Sequence, residues 1–369
     1  MKVLHIISSG GMYGAEAVIL HLSQALQKMG DESEIGIFHN SSNPNHGLVA
    51  AAAIHSVPTH VISCSGQIDI SVPGQIRTLV TSSKADIVHA HGYKADLYTW
   101  SALRRGSVPF LSTCHTWYDN NSLLRLYGVL DRRVLRSFAA VVAVSREVQT
   151  QLLRAGVPAA RISFIRNGID VEPFRRAPKQ AAEALPGNPE LRIGLIGRLA
   201  PEKGIDLFIR AAARVLDHLP QATFEIFGEG PDRVPLDSLI QALGVSNRVR
   251  LAGRSNNMPH IYQSLDLLVS ASRQEGLPIS LLEGMASGCA ILATSVGEVP
   301  SIILHGETGI LVPPENITEL AAAMEALLRD PSWREQLSSK ATALVASSYS
   351  AEQMALEYRQ LYEIVVAAA

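Results

Sequence analysis

The stretch LDLLVSASRQEGLPISLLEGMASGCAILAT, residues 265–294, contains a complete strand–helix–strand pattern. Residues 265–272 and 290–294 are short apolar runs of strand length, and the segment between them has the spacing of a helix with one apolar face. Pro278 suits the first turn of that helix, where a missing N–H costs nothing. A helix that joins two strands in this way indicates a parallel sheet covered by helices.

The same alternation extends over the whole chain. The candidate strands are residues 3–7, 33–38, 60–63, 86–91, 109–115, 140–145 and 162–168 in the first half, and 191–199, 223–228, 249–253, 265–272, 290–294 and 308–313 in the second. Each half opens with a hydrophobic strand that runs into a loop of small residues. The sequence therefore predicts an α/β protein with two Rossmann-like domains in tandem.

Prolines mark the boundary between the two halves. Pro173, Pro178, Pro186 and Pro189 interrupt any regular element there, which places the linker at about residues 170–190. Residues 1–172 are predicted to form the first domain and residues 173–349 the second. Residues 350–369 are predicted to form a capped amphipathic helix that begins at Ser350.

The composition excludes several classes of protein. The chain has 369 residues, with 32 Lys and Arg against 34 Asp and Glu, so its charge gives no general attraction to nucleic acid or to a membrane. Cys64, Cys114 and Cys289 are too widely spaced for a disulfide framework or a metal cluster and indicate a reducing cytoplasm. The first apolar run is too short for a signal peptide, and no stretch approaches the roughly 18 apolar residues of a membrane span. We expect a protein that is soluble or at most peripheral.

One glutamate lies just outside the start of the helix in the opening stretch, and another lies in its middle. The backbone amides of Gly276 and Leu277 form a seat for an anion there, and Glu275 at its edge would accept hydrogen bonds from neighbouring hydroxyls. Glu283 lies at the border of the apolar face, where a ribose diol would satisfy its carboxylate. The alternative is two solvated glutamates on an ordinary helix.

A second candidate site follows the first strand of the second half, in GRLAPEKG, residues 197–204. Gly197 allows close approach of the backbone, and Arg198 and Lys203 supply the two cations that a diphosphate needs. The alternative is a surface turn with a solvated lysine.

The loop SSGGMYGAE, residues 8–16, would let backbone amides approach a ligand from the first domain. Its glycine spacing differs from the dinucleotide fingerprint G-x-G-x-x-G, as does that of GEGPDR at residues 228–233. A dehydrogenase is therefore disfavoured.

Histidines and arginines leave further alternatives open. His89 and His91 alternate along one strand, but a metal site is the lesser alternative because no carboxylate or cysteine lies at ligand spacing. His115 ends a strand and would either hydrogen-bond a sugar or play a structural part. The basic amphipathic segment from Leu123 to Phe138 usually covers a sheet, and peripheral contact with an anionic membrane is the alternative.

With these motifs in place, the sequence resembles glycosyltransferase family 4, the retaining nucleotide-sugar enzymes of the GT-B fold. The resemblance rests on an ordered set of motifs that covers essentially the whole chain: SSGGMYGAE, DIVHAHGYKAD, STCHTWYD, VVAVS, IRNGID, LIGRLAPEKGID, IFGEGPDR and GLPISLLEGMASGCAILATSVGEVPSIILHGETGILVPP. It implies two facing Rossmann-like domains, with a C-terminal helix that crosses back to the N-terminal domain.

The resemblance also assigns roles to matching positions. It implies a catalytic set of His115, Arg198, Lys203 and Glu275, in which the two cations neutralise the donor diphosphate, Glu275 holds hydroxyls of the transferred sugar and His115 lies beside that sugar. The implied donor-binding residues are Gly11, Gly14, Gly197, Arg198, Lys203, Arg254, Glu275, Gly276, Leu277 and Glu283, with Ser255 near the base. The implied acceptor-side residues are Gly10, Glu16 and His91.

The family implies a reaction that retains the anomeric configuration, with the leaving diphosphate accepting the proton of the acceptor hydroxyl. We expect neither a metal nor another cofactor, because the sequence has no Asp-x-Asp motif. The expected donor is a UDP-sugar, with GDP-mannose second, and the expected acceptor is a sugar or a lipid-linked hydroxyl in glycan or glycolipid biosynthesis. Location in the cytoplasm or at the inner face of the membrane follows. The rival hypotheses are a nucleotide-sugar epimerase or phosphorylase of the same fold, and a non-catalytic nucleotide-sugar binder.

Overall fold

A computed structural model describes residues 1–8, 14–40, 46–66, 68–114, 122–175, 191–255 and 257–369. These residues divide into two compact units. The first unit consists of Met1–Gly168 together with Ala351–Ala369, and the second consists of Ile169–Ser350.

The first unit contains a parallel seven-stranded sheet. Its strands are β1 (Lys2–Ile7), β2 (Glu32–His39), β3 (Thr59–Ser63), β4 (Ile87–His91), β5 (Phe110–Cys114), β6 (Ala140–Ala143) and β7 (Ile162–Phe164), in the order β3-β2-β1-β4-β5-β6-β7. The connecting helices are α1 (Gly14–Lys28), α2 (His46–Ile54), α3 (Val72–Ser83), α4 (Tyr93–Leu103), α5 (Ser122–Val134) and α6 (Arg146–Arg154). The central strands β1 and β4 are buried along nearly their whole length, as expected when helices cover both faces of a parallel sheet.

The second unit contains a parallel six-stranded sheet. Its strands are β8 (Arg192–Ile196), β9 (Thr223–Phe227), β10 (Val249–Gly253), β11 (Leu267–Ser270), β12 (Ala290–Thr294) and β13 (Ile310–Val312), in the order β10-β9-β8-β11-β12-β13. Its helices are α7 (Ile205–Leu216), α8 (Arg233–Ala242), α9 (Met258–Ser264), α10 (Ile279–Ala286), α11 (Val299–Ile302), α12 (Ile317–Arg329) and α13 (Pro331–Ser348). One hydrophobic core contains Phe208, Phe224 and Met324, and another contains Tyr262, Leu282 and Met285.

The last helix, α14 (Ala351–Ala367), returns to the first unit after the second unit is complete. Its Tyr358 and Tyr362 are fully buried against the sheet. The Tyr362 hydroxyl lies 2.7 Å from Nδ1 of His89, and the Tyr358 hydroxyl lies 2.8 Å from Oγ1 of Thr113. These bonds join the C-terminal helix to the middle of the N-terminal sheet.

Every observed strand overlaps a predicted one, but several end earlier. The predicted strand 191–199 is observed as Arg192–Ile196, because the chain turns at Gly197 once β9 has ended. Helix α10 begins at Ile279, so Pro278 is its N-cap residue and does not lie in the first turn as predicted. Among the described residues, no helix has both the length and the apolar character needed to cross a membrane.

Candidate active site

The site lies where the strand order of the second sheet reverses. Strand β8 has β9 on one side and β11 on the other, so the loops that follow β8 and β11 leave neighbouring strand ends in different directions. In parallel sheets such a position is where ligands bind. The first loop carries Gly197, Arg198 and Lys203, and the second carries Glu275 and Gly276.

Lys203 and Glu275 meet across the two loops. Lys203 Nζ lies 2.6 Å from Oε1 of Glu275. The Glu275 side chain is only 8% exposed, against 26% for Lys203, so the carboxylate is the more desolvated partner. Ser272 donates a second hydrogen bond, of 2.7 Å, to the same oxygen. The structure therefore pairs two residues for which the sequence predicted separate contacts.

Two glycines allow the close packing of these loops. Gly204 has a φ of +59°, and a Cβ added there would overlap the carbonyl oxygen of Ala271 in the loop after β11. Gly297 has a φ of +53°, and a Cβ there would overlap the carbonyl oxygen of Glu275. Because both positions combine a left-handed backbone with close approach, side chains there would force the loops apart. The sequence analysis did not identify either glycine.

The start of α10 presents backbone amides to the site. Among the described residues, none accepts a hydrogen bond from the amide of Gly276 or of Leu277. A Cβ added at Gly276 would meet no atom within 4 Å, so the protein itself does not require glycine there. Pro278, the N-cap residue, makes no side-chain capping bond. The two amides can therefore donate to a ligand anion.

Glu283 lies one helical turn and a half further along the chain, on α10. The Tyr262 hydroxyl donates a 2.7 Å hydrogen bond to its Oε2. Burial raises the pKa of Glu283 to about 7, and the bond from Tyr262 opposes that rise. Burial, with the nearby Glu283 carboxyl, also raises the pKa of Tyr262, which keeps this hydroxyl protonated as a donor. One carboxyl oxygen of Glu283 thus has a protein partner that the sequence analysis missed.

The remaining predicted residues of the second unit are more exposed. The side chains of Arg198 and Arg254 make no ion pair or hydrogen bond with any residue in the described part of the chain. Ser255 Oγ accepts a 3.2 Å bond from the amide of Asn257. A Cβ at Gly197 would touch the Lys203 side chain at 3.6 Å, an ordinary contact, so the fold alone does not demand glycine there.

In the first unit, Gly14 is the first residue of α1 and Glu16 is buried in its first turn. Gly10, Gly11 and His115 lie outside the described residues. His91, for which the resemblance implies a place on the acceptor side, is a buried residue that is only 4% exposed. Its Nε2 lies 3.1 Å from Nδ1 of the buried His5 on the neighbouring strand.

His5, His89 and His91 form a buried cluster in which one ring nitrogen from each residue lies within 4.8 Å of the other two. Hydrogen bonds account for its arrangement. His89 has a hydroxyl at each ring nitrogen, from Tyr362 at Nδ1 and from Thr113 at Nε2, both at 2.7 Å. Burial lowers the pKa of His5 to about 3, which leaves it neutral. The trio could bind a metal only if His89 gave up one of its two hydroxyl partners.

Comparison with known families identifies the chain. The model of the family described as Glycosyltransferase Family 4 matches residues 12–173, and the model described as Glycosyl transferases group 1 matches residues 178–344. The two models together cover most of both units. The chain belongs to glycosyltransferase family 4.

Two curated relatives of this family 4 glycosyltransferase are themselves named as glycosyl-group transferases. It is 34% identical over 248 residues to an α-D-kanosaminyltransferase from Streptomyces kanamyceticus, and that match spans 63% of each chain. It is 29% identical over 328 residues to a D-inositol 3-phosphate glycosyltransferase from Thermobispora bispora, across 81% of this chain and 77% of the relative. The first of these relatives is thus matched over less than two thirds of its length.

Solved structures show the fold of this family 4 glycosyltransferase to be GT-B. It resembles Anabaena HepE in complex with UDP-glucose, with a TM-score of 0.81, 21% identity and coverage of 98% of this chain and 99% of that one. It also resembles the sucrose-phosphate synthase of Thermosynechococcus elongatus, with a TM-score of 0.82, 20% identity and complete coverage of both chains.

Proposed function

We propose that the protein is a retaining, metal-independent glycosyltransferase that moves a sugar from a nucleotide-diphosphate sugar to a hydroxyl acceptor in glycan or glycolipid biosynthesis. The observation that carries the proposal is the Lys203–Glu275 pair, 2.6 Å apart, next to the amides of Gly276 and Leu277, which have no acceptor among the described residues. A UDP-sugar is the favoured donor, because the similar Anabaena HepE structure contains UDP-glucose. A GDP-mannose donor is the second candidate.

The charges of the site suit departure of a nucleoside diphosphate. Lys203 and the exposed Arg198 would compensate the negative charge that grows on the leaving phosphate oxygen, while the amides of Gly276 and Leu277 add hydrogen bonds to it. Glu275 would accept hydrogen bonds from hydroxyls of the transferred sugar. The pairing of Lys203 with Glu275 holds both side chains at the edge of the site before the donor arrives.

In the proposed reaction, the bond from the anomeric carbon to the diphosphate oxygen breaks as a bond to the acceptor oxygen forms on the same face. The acceptor hydroxyl gives its proton to the departing phosphate oxygen. This chain contributes orientation of the donor and stabilisation of the leaving group, and no side chain has to act as a covalent nucleophile.

The proposal includes peripheral contact with an anionic membrane through α5, in the segment from Leu123 to Phe138. Val129 and Leu130 are 61% and 42% exposed, and the nearby Arg133 is exposed as well. Exposed apolar side chains next to cations are typical of interfacial helices. Val129→Asp should reduce sedimentation with vesicles that contain anionic lipid, and equal binding of this variant and the wild type would argue against the contact.

A donor panel tests the proposed activity. UDP-sugars and GDP-mannose are screened by thermal shift, then by donor hydrolysis and transfer to simple sugar acceptors, with and without a chelator. Lys203→Ala should lower turnover about a hundredfold or more, because charge stabilisation at a leaving group is worth that much. The anomeric configuration of the product is read by NMR. A donor rearranged without an acceptor would identify an epimerase, and full activity of Lys203→Ala would overturn the assignment of the site.

A further inference from the structure

Arg273, two residues before Glu275, holds together three loops at the edge of the second sheet. Its Nη1 donates 2.8 Å hydrogen bonds to the carbonyl oxygen of Pro201 and to Oδ1 of Asp206, and its Nη2 donates a 2.9 Å bond to Oδ2 of Asp206. Its Nε donates to Glu315, which follows β13. One guanidinium in the loop after β11 therefore binds the loop after β8, the first turn of α7 and the loop after β13.

The backbone of the same segment adds a second attachment. The amide of Arg273 donates a 2.8 Å hydrogen bond to the carbonyl oxygen of Glu202, and the amide of Gln274 donates a 3.3 Å bond to the same oxygen. Glu202 immediately precedes Lys203, and Gln274 immediately precedes Glu275. The bond between Gln274 and Glu202 therefore joins the residues that directly precede Glu275 and Lys203.

The guanidinium bonds are strong and specific in direction. The hydrogen bonds from Arg273 hold the pKa of Asp206 below its usual range, and Asp206 in turn raises the pKa of Arg273. Glu315 adopts a φ of +60°, a conformation that a non-glycine side chain seldom takes, while its carboxylate binds Arg273. A forked guanidinium matches a carboxylate through two parallel bonds, which a lysine ammonium cannot do.

We propose that Arg273 is a positioning residue that keeps Lys203 and Glu275 in register for the donor. The proposal rests on the proposed glycosyl transfer at this site. Arg273 binds Pro201, Asp206 and Glu315, so it acts on the reaction only through the segments that it joins. Small displacements of binding groups suffice to slow a reaction, since an error of about 1 Å can cost about a hundredfold in rate.

The test compares Arg273→Lys with a matched control, Arg334→Lys. Arg334 is also partly buried and donates from Nη1 to two backbone carbonyl oxygens, those of Leu327 at 2.6 Å and Leu328 at 2.9 Å, but it lies in α13. Arg273→Lys should lower kcat by about thirtyfold or more, with donor KM changed less than kcat, and Arg334→Lys should leave both nearly unchanged. If Arg273→Lys lost both its activity and its cooperative unfolding transition while Arg334→Lys kept both, Arg273 would have a folding role instead.

A double-mutant cycle separates positioning from a general structural role. If Arg273 acts through the Lys203–Glu275 pair, then Arg273→Lys has little further effect on kcat once Lys203 has been changed to alanine. Multiplication of the two single effects in the double variant would overturn the proposal. A failure of this cycle leaves the activity of the wild type, and so the proposed function, intact.

Hydrogen exchange gives a readout that does not depend on activity. In Arg273→Lys, the amides of residues 198–206 and 271–278 should exchange faster, while the rest of the second sheet keeps its protection. Unchanged exchange in both loops would overturn the positioning role even if the wild type were inactive with every donor. If the wild type were inactive with every donor but Arg273→Lys still exchanged faster in both loops, the proposed function would be wrong. The role of Arg273 in holding the two loops would stand.

Discussion

At the scale of single residues, the protonation of Glu283 decides what this side chain can bind. Its pKa is raised to about 7 by burial, so near neutral pH the carboxyl group is present in both forms. A ribose diol donates hydrogen bonds, and the ionised carboxylate of Glu283 is the better acceptor for them. The ionised fraction rises as the pH increases through the pKa. Donor binding that uses Glu283 should therefore strengthen with increasing pH.

This gives a prediction for the proposed donor. Between pH 6 and pH 8, the donor KM of the wild type should fall several-fold and then level off above the pKa. Glu283→Gln keeps a similar shape but cannot ionise, so its KM should be higher at pH 8 and independent of pH. Steady-state kinetics over this range provide the measurement, with Glu319→Gln on exposed α12 as the control. A wild-type KM that rises with pH would contradict the role of Glu283.

The sequence indicates candidate site residues more readily than their contacts. Glu275, Lys203 and Gly276 could be proposed because small and charged residues follow apolar strands at the carboxyl ends of a parallel sheet. Their pairing depends on β8 and β11 being neighbours although about seventy residues separate Lys203 from Glu275. For the same reason, the sequence analysis missed Arg273 and Tyr262, whose partners come from distant segments.

At the scale of secondary-structure elements, strands were the most predictable part of the fold. A parallel strand that is covered on both faces has a continuous β-branched or apolar sequence, as in the fully buried β6 and β12. Helix starts were less predictable, because they depend on local backbone geometry. Pro278 shows this, since its extended ψ of 107° makes it the N-cap residue of α10.

Helices α4 and α5 contain a buried acidic pair that should make stability depend on pH. Asp96 of α4 is fully buried, and its pKa is raised well above the usual value by burial and then by the nearby Asp131 of α5. Burial also raises the pKa of the neighbouring Cys114 thiol, which is therefore neutral. Because folded Asp96 holds its proton at a pH where the unfolded chain has lost it, the free energy of unfolding should fall as the pH rises above about 4.

Asp96→Asn tests this expectation, because asparagine resembles the protonated acid and can donate a hydrogen bond to Asp131. The variant should be more stable than the wild type at pH 8, where the wild-type Asp96 is ionised in the unfolded chain but holds its proton in the folded one. The difference should shrink toward pH 5. Urea unfolding at both values measures it, and Asp237→Asn on the exposed face of α8 is the control. Destabilisation that is equal at both pH values would contradict the protonation of Asp96 in the folded protein.

At the scale of the whole molecule, the first unit is discontinuous in sequence. The chain completes Met1–Gly168, builds the second unit and then returns with Ala351–Ala369. The returning helix supplies Met354, Tyr358 and Tyr362 as buried side chains and satisfies His89 at the centre of the sheet. The first unit therefore lacks part of its core until the end of the chain is present.

Chain dissection tests this dependence on α14. Residues 1–168 alone should aggregate or unfold at low urea, because the surface that α14 covers stays exposed to water. Each large apolar side chain left unburied there costs about 1.5–3 kcal/mol of stability. Residues 1–168 joined by a flexible linker to residues 351–369 should fold cooperatively. In that fusion, Tyr362→Phe removes the hydroxyl at His89 Nδ1 and should lower the free energy of unfolding by about 1–3 kcal/mol. Equal stability of residues 1–168 with and without the helix would show that α14 only rests on a unit that is already complete. Instability of residues 1–168 alone, together with a stable fusion, would mean that the first unit completes its folding only when residues 351–369 are present.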